Sequence, residues 1–372
     1  MAGPVVITGG GTGGHIFPMQ AVAQQLRLFG LSSNELRYVG SRRGQEATLL
    51  RDDSIALTLL PGRGIRRSLS PSALLENVGA VAALATAVAI ATYKIARWRP
   101  AVVVSLGGYA SLGVGVAAVL WRRPLVLVDL DAVPGAAHRL LGRFATRRCT
   151  SFASNDPRAV VTGAPLRDAI VAIDRGEANQ RRARTAASPP IDQSRCVIVV
   201  MTGSLGALSV NRAVSDLARQ WSDRGDITLV HVTGRRDYSR VVADRPTTTM
   251  LDYRIEEFAD MTTWWTICDV AICRAGALTL AELTALGIAS VLVPLPGAPG
   301  DHQTKNAQRV VDAHGALQLR DEDCSAVHLA TLLERLLVPA TRATMSACAR
   351  TLGRRDSARA IARVVLDIGG LS

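Results

Sequence analysis

The sequence has no CxxC pair among its six cysteines, no low-complexity tract and no short-period repeat. Without paired cysteines, neither a zinc ribbon nor a disulfide framework is expected, and the thiols are predicted to be buried and reduced. Charged residues are also scarce at 20%, whereas hydrophobic residues reach 48%. This balance excludes a mainly disordered chain, and the length of 372 residues predicts two domains.

The first eight residues have neither the basic segment nor the apolar core of a signal peptide, so the cytoplasm is the expected compartment. The formal net charge of +12 is uneven, because residues 1–165 contain 18 basic and 8 acidic side chains. This excess predicts an anionic partner of the first half, either nucleic acid or a membrane surface. A purely solubilising role for the arginines fits the charge equally well.

One uncharged segment, 77–93, raises the question of membrane contact. At about 17 residues, many of them Ala, it is at the short limit for a spanning helix. It is flanked by basic residues and one tryptophan: Arg63, Arg66 and Arg67 before it, and Lys94, Arg97, Trp98 and Arg99 after it. The pattern favours a helix lying against anionic headgroups, and the alternative is an Ala-rich helix buried against a sheet.

Short β-branched runs alternate with longer amphipathic segments along the chain. Strands are predicted at 5–8, 36–40, 55–60, 101–106, 125–128 and 159–162, and again at 196–201, 227–232, 269–273 and 290–293. This rhythm is typical of βαβ units with parallel sheets, so the predicted fold class is α/β with two Rossmann-like halves. The polar stretch 175–195 is predicted to be a surface loop, and 357–368 a final helix.

The first predicted strand leads directly into Gly9-Gly10-Gly11-Thr12-Gly13-Gly14-His15, and a helix is predicted at 16–29. Backbone amides at such a helix N-terminus bind diphosphates. The cluster also has the GxGxxG spacing of dinucleotide enzymes, but the second strand leads into Ser41-Arg42-Arg43 and lacks the acidic residue expected for NAD. The arginines would suit a 2′-phosphate, which leaves an NADP-linked oxidoreductase as an alternative.

The second half begins with a similar turn, Thr202-Gly203-Ser204-Leu205-Gly206-Ala207. One phosphate-type turn in each half indicates two phosphorylated substrates that meet between the domains. A third turn, 274–282, opens a helix, and its Thr279 and Glu282 have capping-box spacing. The same helix start could hold a phosphate, with Glu282 accepting hydrogen bonds from ribose hydroxyls. Further on, Asp301-His302-Gln303 offers polar groups that suit sugar hydroxyls.

Together these segments resemble the MurG family, bacterial glycosyltransferases that transfer N-acetylglucosamine (GlcNAc) from UDP-GlcNAc to undecaprenyl-diphosphate-linked muramyl-pentapeptide (lipid I), giving lipid II. The resemblance spans nearly the whole chain. It is carried by six motifs: 10–15 with Pro18, 107–111, 132–135, 203–204 with 206–207 and Asn211, 274–282, and 302–303 with Asn306 and Ala307.

The resemblance implies a GT-B fold of two Rossmann-like domains. Residues 1–165 would bind the acceptor and associate with the membrane, 166–350 would bind UDP-GlcNAc, and 351–372 would pack back on the first domain. It also implies an inverting transfer to the muramyl 4-hydroxyl by a peripheral enzyme on the cytoplasmic face of the bacterial cell membrane. The partners it implies are UDP-GlcNAc, lipid I, an anionic membrane surface and, as candidates, cell-wall synthesis or division proteins, with no nucleic acid.

The resemblance also assigns roles residue by residue. On the donor side, Ser204 would contact the diphosphate and Arg167 the nucleoside. Ala277, Leu278 and Thr279 would contact the nucleotide and its phosphates. Glu282 would bind the ribose, and Gln303 the GlcNAc hydroxyls. The acceptor diphosphate would meet Thr12, Gly13, Gly14 and Tyr109, and the three turn residues are expected, with Asp131, to contact UDP-GlcNAc as well.

The sequence departs from the family pattern at several positions. Val128-Asp129-Leu130-Asp131 stands where the family has His-Glu-Gln-Asn, so Asp131 replaces an Asn that contacts donor sugar or acceptor. Ala164 and Leu205 replace a usual Asn and Gln, and 258–261 is one residue short. Three interpretations therefore stay open: lipid II synthesis, transfer to another lipid or natural-product acceptor, and a non-catalytic binding protein.

Inversion at the anomeric carbon requires a base for the attacking hydroxyl and charge stabilisation at the leaving diphosphate. His15 is the candidate base, because a helix N-terminus favours neutral imidazole near pH 7, and hydrogen bonding to the acceptor phosphate is its alternative role. Asp131 is a second candidate. Helix N-termini at Ser204 and Thr279 would stabilise the diphosphate, so no metal or other cofactor is expected, although Asp129-Leu130-Asp131 matches a DxD metal signature.

Overall fold

The structure is a computed structural model that describes residues 3–10, 13–51, 53–62, 71–247 and 249–371, with the backbone alone at 71–77. The chain divides into two compact units. The first unit is Met1–Arg167 together with Arg355–Ser372, and the second is Asp168–Arg354. These boundaries lie two and four residues after the expected ones at 165 and 350. The helix that ends at Leu352 therefore lies wholly in the second unit.

Strands and helices alternate throughout both units. The strands are β1 Val5–Thr8, β2 Leu36–Ser41, β3 Ala56–Leu60, β4 Val102–Ser105, β5 Leu125–Asp129, β6 Arg147–Thr150, β7 Ala159–Val161, β8 Cys196–Met201, β9 Ile227–Val232, β10 Asp252–Glu256, β11 Val270–Cys273, β12 Ala289–Leu292 and β13 Leu317–Gln318. The helices are α1 Gly13–Leu28, α2 Glu46–Leu49, α3 Pro71–Trp98, α4 Tyr109–Leu120, α5 Ala136–Leu141, α6 Asp168–Val171, α7 Glu177–Ala186, α8 Leu208–Gln220, α9 Tyr238–Ala243, α10 Met261–Ile267, α11 Ala277–Leu286, α12 His302–Asp312, α13 Ala326–Leu337, α14 Pro339–Leu352 and α15 Ser357–Gly369.

Each unit contains one parallel sheet. Within the described residues the first sheet has the order β3-β2-β1-β4-β5-β6-β7, and the second has the order β10-β9-β8-β11-β12-β13. The order reverses beside the first strand of each sheet, between β1 and β4 and between β8 and β11. In open parallel sheets ligands bind outside the carboxyl ends of the strands at this switch point. The topology therefore marks one candidate binding edge in each unit, and the predicted α/β class with two Rossmann-like domains is confirmed.

The inner strands of both sheets are mostly apolar, because helices cover both faces of each sheet. Every residue of β1, β5, β9 and β11 is buried. The registers align the strand ends, with Thr8 opposite Ser105 in one sheet and Met201 opposite Cys273 in the other. The turns that follow these strands are consequently neighbours. The C-terminal helix α15 packs against α1 in the first unit.

All ten predicted strands are confirmed to within about two residues at each end. Sequence analysis missed β6, β10 and β13, of which the first two carry charged side chains. The predicted loop at 175–195 is wrong over α7, which starts after Gly176 and ends before Pro189. Its helix is fixed to the core by Arg184, a buried residue whose guanidinium meets the carboxylate of Asp269 at 2.9 Å.

The uncharged segment belongs to the 28-residue helix α3. One side packs on α4 through the buried residues Ala87, Ala91 and Ile95, while Val78 and Tyr93 on the other side are each 67% exposed. The helix segment 78–98 is long and apolar enough to span a bilayer by length and composition alone. Only 22% of its apolar window is buried in the fold. The helix is thus buried along one side only, unlike the fully buried helix of the alternative interpretation.

The flanking residues of α3 are only partly within the structure. Arg63, Arg66 and Arg67 lie outside the described residues. At the other end, Arg97 and Arg99 are exposed. The ammonium group of Lys94 lies 5.0 Å from the centre of the Trp98 ring, so the positive charges and the indole share one end of the helix.

Candidate active site

In the first unit, two glycine turns meet at the carboxyl edge of the sheet. One follows β1 and leads into α1; the other, Gly107-Gly108, follows β4 and leads into α4. Gly107 and Gly108 have φ values of +90° and +82°, a region that favours glycine. A Cβ atom at Gly108 would collide with the carbonyl oxygen of Gly10. The two turns can approach this closely because Gly108 has no side chain.

The candidate base His15 lies in the first turn of α1, beside Gly107. A Cβ atom on that glycine would lie 3.5 Å from Nε2 of His15. Burial lowers the pKa of His15, the carboxylates of Asp131 and Glu46 act in the opposite direction, and His138 lowers it further. The imidazole is therefore neutral near pH 7, as a base requires. Its Nδ1 is buried and has no hydrogen-bond partner among the described residues.

Behind the glycine turn lies a carboxylate that sequence analysis did not single out. Glu46, the first residue of α2, is fully buried, and its Oε1 accepts a hydrogen bond from the backbone N–H of Ser41 at 2.8 Å. A Cβ atom at Gly10 or Gly44 would collide with this carboxylate, and one at Gly40 would lie 2.7 Å from its Cγ. The glycines thus admit an anionic group directly behind the turn.

A buried polar network forms the next layer of this site. Ser105 Oγ lies 2.8 Å from Nε2 of His138, whose Nδ1 lies 2.8 Å from Oδ1 of Asp129. The other carboxylate oxygen, Oδ2, accepts two hydrogen bonds from Arg148, at 2.6 and 3.0 Å. Burial alone would raise the pKa of Asp129, but the hydrogen bonds and charges of His138 and Arg148 outweigh it and hold this pKa below its usual value.

This network includes Asp129, the first residue of the DxD signature. Both carboxylate oxygens of Asp129 are occupied by His138 and Arg148, and the residue is 4% exposed, so it is not placed to bind a metal. Asp131 is half-buried and affects the pKa of His15. In the part of the chain that the structure describes, no group of three or more His, Cys, Asp or Glu side chains could hold a metal ion.

The remaining predicted residues of the first unit are less closely grouped. Gly13 and Gly14 begin α1, and Thr12 lies outside the described residues. Tyr109 begins α4, and its hydroxyl donates to the carbonyl of Ala80 at 3.2 Å, so it also holds α3 in place. Arg167 is exposed, with its guanidinium 4.8 Å from the centre of the Phe17 ring in α1.

In the second unit the turn after β8 is held by buried hydrogen bonds. Gly203 and Gly206 have φ values of +86° and +83°, and Ser204 between them is exposed. Asn211, one turn into α8, donates to the carbonyl of Thr233 at 3.0 Å and accepts a hydrogen bond from His231, at 2.9 Å. Burial lowers the pKa of His231 to about 3, so it is a neutral hydrogen-bonding group. The turn is therefore preorganised without a ligand.

The turn after β11 differs from the predicted capping box. The N-cap of α11 is Gly276, which has no side chain, and Thr279 lies inside the helix. The capping interpretation of Thr279 and Glu282 is therefore wrong, because the helix begins three residues earlier than that pattern requires. Ala277, together with Leu278 and Thr279, forms the first helical turn, whose amides point out of the helix N-terminus.

Glu282 and Gln303 both have partners within the protein. Oε2 of Glu282 accepts a hydrogen bond from the indole N–H of Trp265 at 2.8 Å. The side-chain carbonyl of Gln303 accepts from the backbone N–H of Leu295 at 2.9 Å, which fixes the loop before α12. Trp265 was not identified from the sequence, where nothing distinguishes it from a core aromatic residue.

Comparisons with known proteins follow the same division of the chain. Residues 5–150 match the glycosyltransferase family 28 N-terminal domain, and residues 197–361 match the glycosyltransferase family 28 C-terminal domain. Since both halves match a glycosyltransferase, the NADP-linked oxidoreductase alternative is wrong.

Individual relatives cover nearly the whole chain. The chain is 38% identical to the UDP-N-acetylglucosamine–N-acetylmuramyl-(pentapeptide) pyrophosphoryl-undecaprenol N-acetylglucosamine transferase of Alkalilimnicola ehrlichii, over 99% of each protein. It is 35% identical to the enzyme of the same name from Xanthomonas euvesicatoria, over 100% of this chain and 82% of that protein. Among solved structures, Acinetobacter baumannii MurG is similar at a TM-score of 0.75 and 25% identity, covering 98% of this chain and 99% of that one. The chain therefore belongs to the MurG family of glycosyltransferases.

Proposed function

We propose that the protein transfers GlcNAc from UDP-GlcNAc to the muramyl 4-hydroxyl of undecaprenyl-diphosphate-linked MurNAc-pentapeptide, giving lipid II for peptidoglycan synthesis. The names of its relatives state this donor and this acceptor. The single observation that carries the proposal is the glycine turn at the switch point of each sheet, before α1 in one unit and before α8 in the other. A reaction between two diphosphate-bearing substrates uses both turns.

The second unit binds the donor. Ser204 and the first turn of α11, with Ala277, Leu278 and Thr279, contact the diphosphate and nucleotide through backbone amides at two helix N-termini. Glu282 accepts hydrogen bonds from the ribose hydroxyls, and the amide NH₂ of Gln303 donates to GlcNAc, since its carbonyl already holds Leu295. Arg167 contacts the nucleoside.

The first unit binds the acceptor diphosphate at Thr12, Gly13, Gly14 and Tyr109. His15 takes the proton of the 4-hydroxyl as its oxygen bonds to the anomeric carbon, and the bond from that carbon to the UDP oxygen breaks on the opposite face. The leaving UDP carries the bonding electron pair away, and the two helix N-termini of the second unit stabilise its charge. No step of this scheme needs a metal or another cofactor.

The enzyme acts as a peripheral protein on the cytoplasmic face of the bacterial cell membrane. Support comes from α3, whose exposed side carries Val78 and Tyr93 and whose end carries Lys94, Arg97 and Arg99 together with Trp98. An apolar helix face with basic residues and an indole at one end binds anionic interfaces. An acceptor with a polyprenyl chain is found at such an interface.

The test is transfer of labelled GlcNAc from UDP-GlcNAc to a short-chain lipid I analogue, with and without EDTA. Turnover that EDTA does not change is the expected result. Binding of UDP-GlcNAc without transfer would favour another acceptor or a non-catalytic protein, and a panel of lipid and natural-product acceptors would separate these two. Loss of turnover in EDTA, restored by a divalent cation, would contradict the metal-free scheme.

A further inference from the structure

A buried indole supports the carboxylate that we assign to the donor ribose. Trp265, in α10, is 0% exposed, and its Nε1–H donates to Oε2 of Glu282 at 2.8 Å. We infer that Trp265 is a positioning residue whose hydrogen bond orients Glu282, and that this contact sets the preference of the enzyme for ribose over 2′-deoxyribose in the donor. The inference rests on the proposed ribose role of Glu282.

The chemistry of a carboxylate explains why such a partner matters. The terminal torsion of a Glu side chain is broad, so the carboxylate of an unsupported Glu282 can rotate. An ionised carboxylate has about four lone-pair sites. The hydrogen bond from the indole fixes the direction of the carboxylate, so that its oxygens can accept from the 2′- and 3′-hydroxyls of ribose together. A rotating carboxylate can still accept one hydroxyl but holds the pair less well.

The backbone of Trp265 is held in place by Arg175, a residue that contacts no proposed ligand. The guanidinium of Arg175 donates to the backbone carbonyl of Trp265 and, at 2.6 Å, to that of Cys268. These two bonds hold the C-terminal end of α10 in place. Arg175 therefore stabilises the position from which Trp265 reaches Glu282.

The neighbouring tryptophan offers a matched control. Trp264 is also buried, at 7% exposed, and its indole N–H donates to Oε2 of Glu256 in β10 at 3.3 Å. Trp264→Phe and Trp265→Phe remove the same N–H group from adjacent positions of one helix. Only Trp265→Phe removes a contact to Glu282.

The experiment measures the dissociation constants of UDP and 2′-deoxy-UDP by calorimetry for the wild type, Trp265→Phe, Trp264→Phe and Glu282→Gln. Trp265→Phe should weaken UDP binding by about three- to tenfold, as expected for loss of one hydrogen bond to a charged group that acts indirectly. Binding of 2′-deoxy-UDP should weaken less. The dissociation constant of 2′-deoxy-UDP divided by that of UDP, called the ratio below, should therefore fall towards its value in Glu282→Gln. Trp264→Phe should keep the wild-type ratio.

Each outcome separates the inference from the proposed function. An unchanged ratio in Glu282→Gln would overturn the ribose role of Glu282, and with it this inference. A reduced ratio in Glu282→Gln with a wild-type ratio in Trp265→Phe would overturn the inference alone. If Trp265→Phe does not fold, Arg175→Lys keeps both indoles and loosens the anchor of Trp265; it should lower the ratio in the same direction, and an unchanged ratio there would count against the inference.

Discussion

Replacing Arg148 by Ala should destabilise the first unit by about 3 kcal/mol, because it strands a buried carboxylate. At an effective dielectric constant of about 20, unit charges separated by the 2.6 Å between Arg148 Nη2 and Asp129 Oδ2 attract by roughly 6 kcal/mol. The hydrogen bond from His138 remains, and water can enter beside a side chain that is 15% exposed. Both effects offset part of the loss, which places the estimate at the lower end of the range for broken buried pairs.

The assay is urea unfolding followed by circular dichroism, with Arg181→Ala as the control. Arg181 also pairs with a carboxylate, that of Glu177, but the two side chains are 68% and 79% exposed. Such surface pairs contribute about 0–1 kcal/mol, so the control should unfold close to the wild type. Equal effects of the two variants would refute the claim that burial makes the contact of Arg148 with Asp129 important.

The same pair predicts a pH dependence whose sign follows from the pKa of Asp129. This pKa is lowered in the folded state, so the pair stabilises the fold at pH values above the unfolded pKa of about 4. The stabilisation is lost as the pH falls through the lower, folded value. The difference in unfolding free energy between the wild type and Arg148→Ala should therefore be constant near pH 7 and shrink below about pH 4. A difference that grows on acidification would contradict this assignment.

Three further predictions concern the site and the membrane. His15→Gln should lower kcat/KM for the lipid I analogue by about 10²–10⁴-fold without changing the calorimetric affinity for UDP. In the wild type, kcat/KM should fall only when the pH drops below the ordinary His pKa of about 6.5. A loss confined to the KM of the acceptor would favour the phosphate-binding role of His15. Asp131→Asn should move that acidic limb to lower pH, because the Asp131 carboxylate raises the pKa of His15; an unmoved limb would argue against His15 as the titrating base. Replacing Lys94, Arg97 and Arg99 by Gln should lower the partition constant for anionic vesicles, measured by sedimentation at low salt, by up to about 100-fold, because each charge contributes about 1 kcal/mol. Binding to neutral vesicles should stay equal. Unchanged sedimentation with anionic vesicles would show that these three residues do not contact the membrane.

The turns of the site could be predicted from the sequence because their signals are local. A strand, a glycine turn and a helix follow one another within about 25 residues at 5–28 and again at 196–220, and each element has its own pattern. The error at Thr279 arose because Gly276, which lacks a side chain, serves as the N-cap, while the capping pattern looks for a hydroxyl. Local patterns therefore locate a turn but can misplace its first residue.

The partners of the functional side chains could not be predicted, because they come from distant segments. Arg148 reads as a charged residue in a basic stretch until β6 places it beside Asp129 at the end of β5. The same holds for Arg184, one of the many charged residues for which the stretch 175–195 is predicted to be a loop, because its partner Asp269 lies in a distant segment. A charge is buried only where it has a partner, and the sequence does not show which residue that partner is. Charged residues in such strands and helices therefore hide the apolar pattern by which these elements are predicted.

The structure also shows which residues of the changed segment 128–131 belong to the sheet edge and which one lies beside the candidate base. Val128 and Leu130 are buried, and Asp129 is committed to His138 and Arg148, so three of the four altered positions serve the sheet edge. Only Asp131 is half-buried beside the candidate base. The carboxylate of Asp131 raises the pKa of His15, so of these four positions Asp131 is the one placed to act on the candidate base.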